Sequence, residues 1–277
     1  MRRAAPGART GARLVAAALA VLIGALADAR ADGAPAGVAA SLAPTGRLRV
    51  AINVGNPVLA QKDPASGAPR GVSAELAQAL AERLGVTPDF IAYDAAGKVF
   101  DALASGAWDL AFLAIDPVRA AGIDFSAPYV VIEGVYLVPA NSSIGAVDDL
   151  DRDGIRVAVG RGSAYDLYLT RALKHAQLVR APSSAESLEL FLRDKLEAAA
   201  GVKQPVVGFA AAHPGTRVVP GRFMVIEQAM GIPKGRDAGL RYLRRFVEDM
   251  KANGLVAAAL ARSNQPDATV APPAPVD

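Results

Sequence analysis

Asp116-Pro117-Val118-Arg119 is the stretch of this chain whose residue types and spacing could do chemistry. It follows an apolar run, Leu110 to Ile115, that reads as a buried strand. An aspartate at the N-cap with proline at the first helical position is the favoured order for opening a helix. Arg119 then falls in the first turn, where free backbone N–H groups and a guanidinium can face one carboxylate or other small anion. Alternatively, Arg119 is a solvated surface arginine. Asp116 is likewise either an acceptor toward a ligand or a cap paired internally with Arg119.

A second corner of the same kind comes later. Ile155 to Val159 reads as a strand, and Gly160-Arg161-Gly162-Ser163 makes a tight turn into a helix from Ala164 to about His175. Ser163 and Asp166 have capping-box spacing, so Ser163 is either a ligand contact or a pure N-cap. Asn53 and Asn56 follow the first strand, Leu48 to Ile52, and are either ligand contacts or turn formers. Lys98, Glu227 and Gln228 are weaker candidates, with solvated positions as the alternative. Two separated histidines, His175 and His213, and no cysteine give no metal set. Gly160-Arg-Gly-Ser lacks the third glycine of a dinucleotide fingerprint, no Gly-x-Ser-x-Gly elbow occurs, and no cofactor is expected. Tyr165 and Tyr168 read as packing residues.

Elements that must position these corners alternate along the chain. Val72 to Leu84 has helical apolar spacing and stops at Gly85; Phe90 to Tyr93 is a strand; Val99 to Ser105 is a short helix closed by Gly106. Val135 to Val138 and Leu178 to Arg180 are extended. Ser183 and Glu186 open a helix carrying Leu188, Phe191 and Leu192 on one face. Leu196 to Ala200 reads as a strand and Gln204 to Ala212 as a helix. An amphipathic helix capped by Asp237 carries Leu240, Leu243, Val247 and Met250 and stops at Gly254. Strands alternating with helices argue an α/β chain with two parallel-type sheets flanked by helices. Ligands of such sheets lie beyond the carboxyl ends of the strands, so a cleft between two lobes follows.

Arg2, Arg3, Arg9 and Arg13 precede an apolar run from Leu14 to Ala27, and residues 1–31 read as a secretory signal peptide. The mature protein is expected to be soluble, exported and periplasmic. Absence of cysteine rules out disulfides and a lipid anchor on an N-terminal cysteine. The whole chain carries 30 Lys+Arg against 27 Asp+Glu, a formal +3. Cleavage after Ala31 removes five arginines and Asp28, leaving 25 basic against 26 acidic residues and a net of −1. No positive field remains for nucleic-acid binding. Residues 32–46 read as a flexible linker, and the proline-rich residues 264–277 as a disordered tail.

With these residues in hand, the chain resembles the family 3 periplasmic solute-binding proteins, the amino-acid receptors of ABC importers. The resemblance rests on Ser105-Gly-Ala-Trp-Asp109, on Asp116-Pro-Val-Arg119 followed by Asp124-Phe-Ser-Ala-Pro-Tyr129, on Val157-Ala-Val-Gly-Arg-Gly-Ser163, and on Gly231-Ile-Pro-Lys-Gly235. It implies the two-lobed type II binding-protein fold. Lobe 1 would be residues 47–130 with 231–263, lobe 2 residues 134–225, and the hinge crossovers residues 131–133 and 226–230. It implies a monomer that traps a small anionic or zwitterionic solute and presents it to an inner-membrane permease. Arg119 then matches the clamp for the ligand carboxylate, with Ser163 and the backbone after Gly162 as the second lobe's contribution. The family's usual acidic partner for a ligand ammonium corresponds to Val202, and its aromatic positions correspond to Asn56 and Ala96. Two hydroxyl positions correspond to Ala114 and Asp116. The carboxylate clamp is kept while the amine cage is dismantled. Some periplasmic cyclohexadienyl dehydratases also resemble this family, and such an enzyme would need Asp116 or Glu227 as its acid.

Overall fold

The computed structural model describes Met1 and residues 34–35, 37–265 and 267–276. The expected signal peptide lies outside the described residues. The chain opens with helix α1 (Val38–Leu42) and strand β1 (Arg47–Asn53). A small antiparallel hairpin, β2 (Gln61–Lys62) and β3 (Pro69–Arg70), leads into α2 (Val72–Leu84). Then follow β4 (Thr87–Tyr93), α3 (Ala96–Asp101), β5 (Leu110–Ala114) and the single turn α4 (Pro117–Ala120). One long strand, β6 (Ile123–Pro139), carries the chain onward to β7 (Arg156–Gly160), α5 (Ala164–Ala172) and β8 (Gln177–Ala181). After α6 (Ser184–Arg193), β9 (Ala198–Val202), α7 (Lys203–Ala212) and β10 (Thr216–Val218), a second long strand, β11 (Met224–Pro233), returns. Helices α8 (Asp237–Ala252) and α9 (Leu255–Arg262) and the short β12 (Thr269–Val270) complete the fold.

Two parallel triples, β4-β1-β5 and β9-β7-β8, are joined through the antiparallel pair β11-β6 into one hydrogen-bonded path. Strand β5 is buried at all five residues, as a parallel strand covered on both faces must be. Helix α2 ends at Gly85, whose φ of 67° lets its N–H reach the carbonyls of Ala81 and Glu82. The expected crossover segments, residues 131–133 and 226–230, lie inside β6 and β11. Pairing between them shifts register at Gln228/Ala229 and again at Ala229/Gly231, a bulge that bends the strand pair.

Asp109, at 0% side-chain exposure, ties three segments together. It accepts bonds from Arg49 Nε and Nη2 at 2.8 and 2.9 Å and from Arg236 Nη2 at 3.0 Å. Burial pushes its carboxyl up, but the bonds from Arg49 and Arg236 outweigh this and hold it below the usual range. The folded pKa is therefore below the unfolded one, near 3.9. Its stabilisation is fully present above about pH 4 and is lost as pH falls through the lowered folded value. The unfolding free energy from urea titrations should therefore fall between about pH 4 and 2 by up to about 1.4 kcal/mol per pH unit on this account. The slope should flatten in Asp109→Asn; an equal slope would remove Asp109 from the acid response.

Four expectations need correction. Residues 32–46 are not all linker. Val38 and Leu42 are buried at i, i+4 on α1, and Ser41 Oγ accepts from the Gly239 N–H at 3.2 Å, so α1 packs on α8. Asp237 does not cap α8; it is that helix's first residue, after Arg236, where its charge favours the N-terminal dipole. The helix after Ser163 ends at Ala172, so His175 lies beyond it, and its N–H donates to Asp151 Oδ1 at 2.8 Å. The proline-rich end is strand rather than tail where it can pair. Thr269 and Val270 bind β6 opposite Val131 and Val130, and the N–H of Ala271 donates to Tyr129 O at 3.1 Å. Strand β9 covers that edge of β6 only from Gly134 onward, which leaves open backbone groups at Val130 and Val131 for β12 to satisfy.

Candidate functional site

A cavity of about 290 Å³ lies where β5, β7 and β9 end, bounded by residues from both halves of the sheet and by β11. Strand β5 delivers Arg119 to it. The strand ends at Ala114, and Asp116 caps α4 through Oδ1, which accepts from the Val118 N–H at 2.8 Å. Arg119 lines the cavity at 1% exposure. Its Nη1 donates to Ala114 O at 2.9 Å and its Nη2 to Gly162 O at 2.8 Å; its Nε, also buried, has no partner. Desolvation pulls the guanidinium down to about 10, against a favourable pull from Asp116, so it stays cationic at neutrality. Among the described residues no carboxylate bonds to it. A buried cation without a counter-anion is costly, and a bound anion removes that cost.

Asp116 does not line the cavity. Besides capping α4 it pairs with Arg171 of α5 at 2.7 Å, and Arg119 is not its salt-bridge partner. The cap and the ion pair use both carboxylate oxygens. Ser163 does line it, while its Oγ accepts from the Asp166 N–H at 3.0 Å, so the hydroxyl proton remains to be donated. The capping box is half formed: Asp166 Oδ2 accepts from Gly162 N at 2.8 Å rather than from Ser163 N. That bond occupies the Gly162 N–H, Arg119 holds the Gly162 carbonyl, and the backbone N–H after Gly162, that of Ser163, donates to Gly160 O at 3.0 Å. Gly162 therefore stands behind the lining. It also meets Gly97 from the other half, where a Cβ would come within 2.7 Å of Gly97 Cα.

Asn53 and Asn56 both line the cavity. Asn53 Oδ1 accepts from Gly55 N at 3.1 Å, the turn chemistry foreseen as its alternative role. Asn56 Oδ1 is buried without a partner. Gln228 lines the cavity at 5% exposure, whereas Glu227 is exposed and its carbonyl accepts from the Ile115 N–H at 2.9 Å. Neither Asp116 nor Glu227, the acids a dehydratase would call on, reaches the cavity. Lys98 is exposed and pairs with Asp94 at 2.8 Å. Sequence reasoning missed the apolar wall: Phe112, Leu188, Val206, Phe209 and Ile226. Tyr165 was read as packing, yet it lines the cavity as well, donating to Ser184 Oγ at 2.8 Å. Tyr165 and Leu188 lie near the N-terminal ends of α5 and α6, close to the strand ends, which is the signal that could have found them.

Sheet order and cavity together define a two-lobed α/β binding-protein fold. The chain belongs to the bacterial extracellular solute-binding proteins, family 3, whose family model it matches over residues 48–263. No curated protein matches the chain in sequence. The L-cysteine solute receptor of Neisseria gonorrhoeae superposes with a TM-score of 0.71 at 23% identity, covering 82% of this chain and 94% of that one. A mutant ArgBP from T. maritima gives 0.70 at 19%, covering 82% and 99%. The ancestral amino acid-binding protein AncCDT-1, a precursor of cyclohexadienyl dehydratase, gives 0.67 at 24%, covering 82% and 99%. At these identities the likeness speaks for the fold. Among the described residues no helix is long and apolar enough to cross a membrane.

Proposed function

We propose that this protein is the periplasmic receptor of an ABC importer, holding a small carboxylate-bearing or amino-acid-like solute between its lobes and delivering it to the inner-membrane permease as a monomer. The observation that carries this reading is Arg119, a buried guanidinium on the cavity wall that bonds to no carboxylate among the described residues and has an unpartnered Nε. Asn56, Ser163 and Gln228 supply further polar groups around it, and Asn53 adds another at the rim of its own turn. The solved relatives named for L-cysteine and for amino acids fit a carboxylate ligand.

A thermal-shift screen of the purified protein against amino acids, 2-oxo acids, 2-hydroxy acids, dicarboxylates and aromatic acids tests it. A ligand at a hundredfold excess over its Kd stabilises by about 2.7 kcal/mol. For a domain of this size that is a rise in Tm of about 5–10 °C. Silence across every carboxylate, with a response to neutral sugars or cations instead, would sink the reading.

A further inference from the structure

We infer that the solute is an apolar monocarboxylate whose α-substituent is uncharged, a 2-hydroxy or 2-oxo acid rather than an α-amino acid; this rests on the receptor reading above. Among the described residues every buried carboxylate is already engaged and none lines the cavity. Asp109 is held by Arg49 and Arg236, Asp116 by Arg171 and the Val118 N–H, and Asp166 by Arg180 Nε at 2.9 Å and the Gly162 N–H. The one carboxylate on the lining is Glu189, which is exposed on α6 and already solvated. An ammonium drawn in beside the carboxylate gripped by Arg119 would be desolvated with no buried counter-charge.

The rest of the wall fits an uncharged body. Val202 stands at the end of β9, with Pro205, Val206 and Phe209 following on α7 and Phe112 and Ile226 on β5 and β11. About 150 Å³ suffices for a benzene-sized guest in an apolar cavity. The 290 Å³ here therefore holds a branched or aromatic body together with its carboxylate. Asn56 Oδ1 is a buried acceptor without a donor. A ligand hydroxyl satisfies it without importing charge, and Gln228 and the Ser163 hydroxyl can serve a keto oxygen.

Calorimetric titration of the purified protein, unfolded and refolded to strip carried ligand, tests this with matched sets. The sets are leucine, 4-methyl-2-hydroxypentanoate and 4-methyl-2-oxopentanoate, and phenylalanine, 3-phenyllactate and phenylpyruvate. The amine-free acids are expected to bind at least tenfold tighter than the amino acid of the same set. Glu189→Gln should leave that preference unchanged. An amino acid that binds as tightly as its hydroxy or oxo counterpart overturns the inference while the receptor reading stands. So does a preference that changes tenfold in Glu189→Gln, since Glu189 would then be reading the α-substituent. Binding by none of these six acids overturns the inference, and silence across every carboxylate of the thermal-shift screen as well overturns both.

Discussion

Arg119→Met is expected to weaken ligand binding at least about thirtyfold while leaving the stability of the unliganded fold close to the parent's. The two effects diverge because no carboxylate among the described residues bonds to the guanidinium. Removing it relieves the desolvation of a buried charge, several kcal/mol in general. Against that gain, the carbonyls of Ala114 and Gly162 each lose a donor, about 1–3 kcal/mol apiece. Methionine fills most of the volume and adapts its shape. These opposed changes are of similar size, so Tm should stay within about 5 °C of the parent. Binding has no such compensation. Truncating one side of a buried charge pair costs 2–5 kcal/mol or more, a loss of about thirtyfold to several thousandfold in Kd. Arg119→Lys keeps the charge without the planar fork and should fall between the two. Calorimetry with whichever acid stabilises the parent reads the outcome. A Kd in the methionine variant within about tenfold of the parent's would show that Arg119 is not the clamp.

How much of this was legible in the sequence depends on the range of the interaction involved. Local signals were read well. Gly85 needs a left-handed backbone to end α2, and Ser183 with Glu186 opens α6 through two short-range bonds. Asp116 caps the turn that carries Arg119, as its place before Pro117 indicates. Contacts between distant segments were not legible. The pairing of Asp116 with Arg171 spans 55 residues, so spacing alone could not separate a ligand acceptor from a structural ion pair. Thr269 and Val270 sit near prolines that favour an extended chain. Only the gap beside Val130 and Val131 on β6 makes them a strand. The apolar wall was invisible for the same reason, because Phe112, Val206 and Ile226 are ordinary strand and helix residues until the sheet brings them together.

Gly97→Ala is expected to weaken ligand binding by about ten- to a hundredfold while lowering the stability of the fold by no more than about 3 kcal/mol. Gly97 sits in α3, where alanine is the better helix former by up to about 1 kcal/mol. Its φ is not in the left-handed region, so the added methyl meets no backbone strain of its own. Its Cβ would, however, lie 2.8 Å from Arg161 O and 3.3 Å from Gly162 Cα on the other half of the molecule. Those are backbone atoms, which cannot rotate away. The halves must part, and the first bond to break is the one from Arg119 Nη2 to Gly162 O. A hydrogen bond to a charged group contributes about 1.5–3 kcal/mol, which gives the expected range. Gly85→Ala is the matched control for crowding, with nothing within 4 Å of its Cβ but a φ of 67°. It should lower Tm through backbone strain and leave Kd alone. Together the two variants separate the approach of the lobes from the stability of the chain. Equal affinity in Gly97→Ala and the parent would mean that ligand is held without the contact between Gly97 and Gly162.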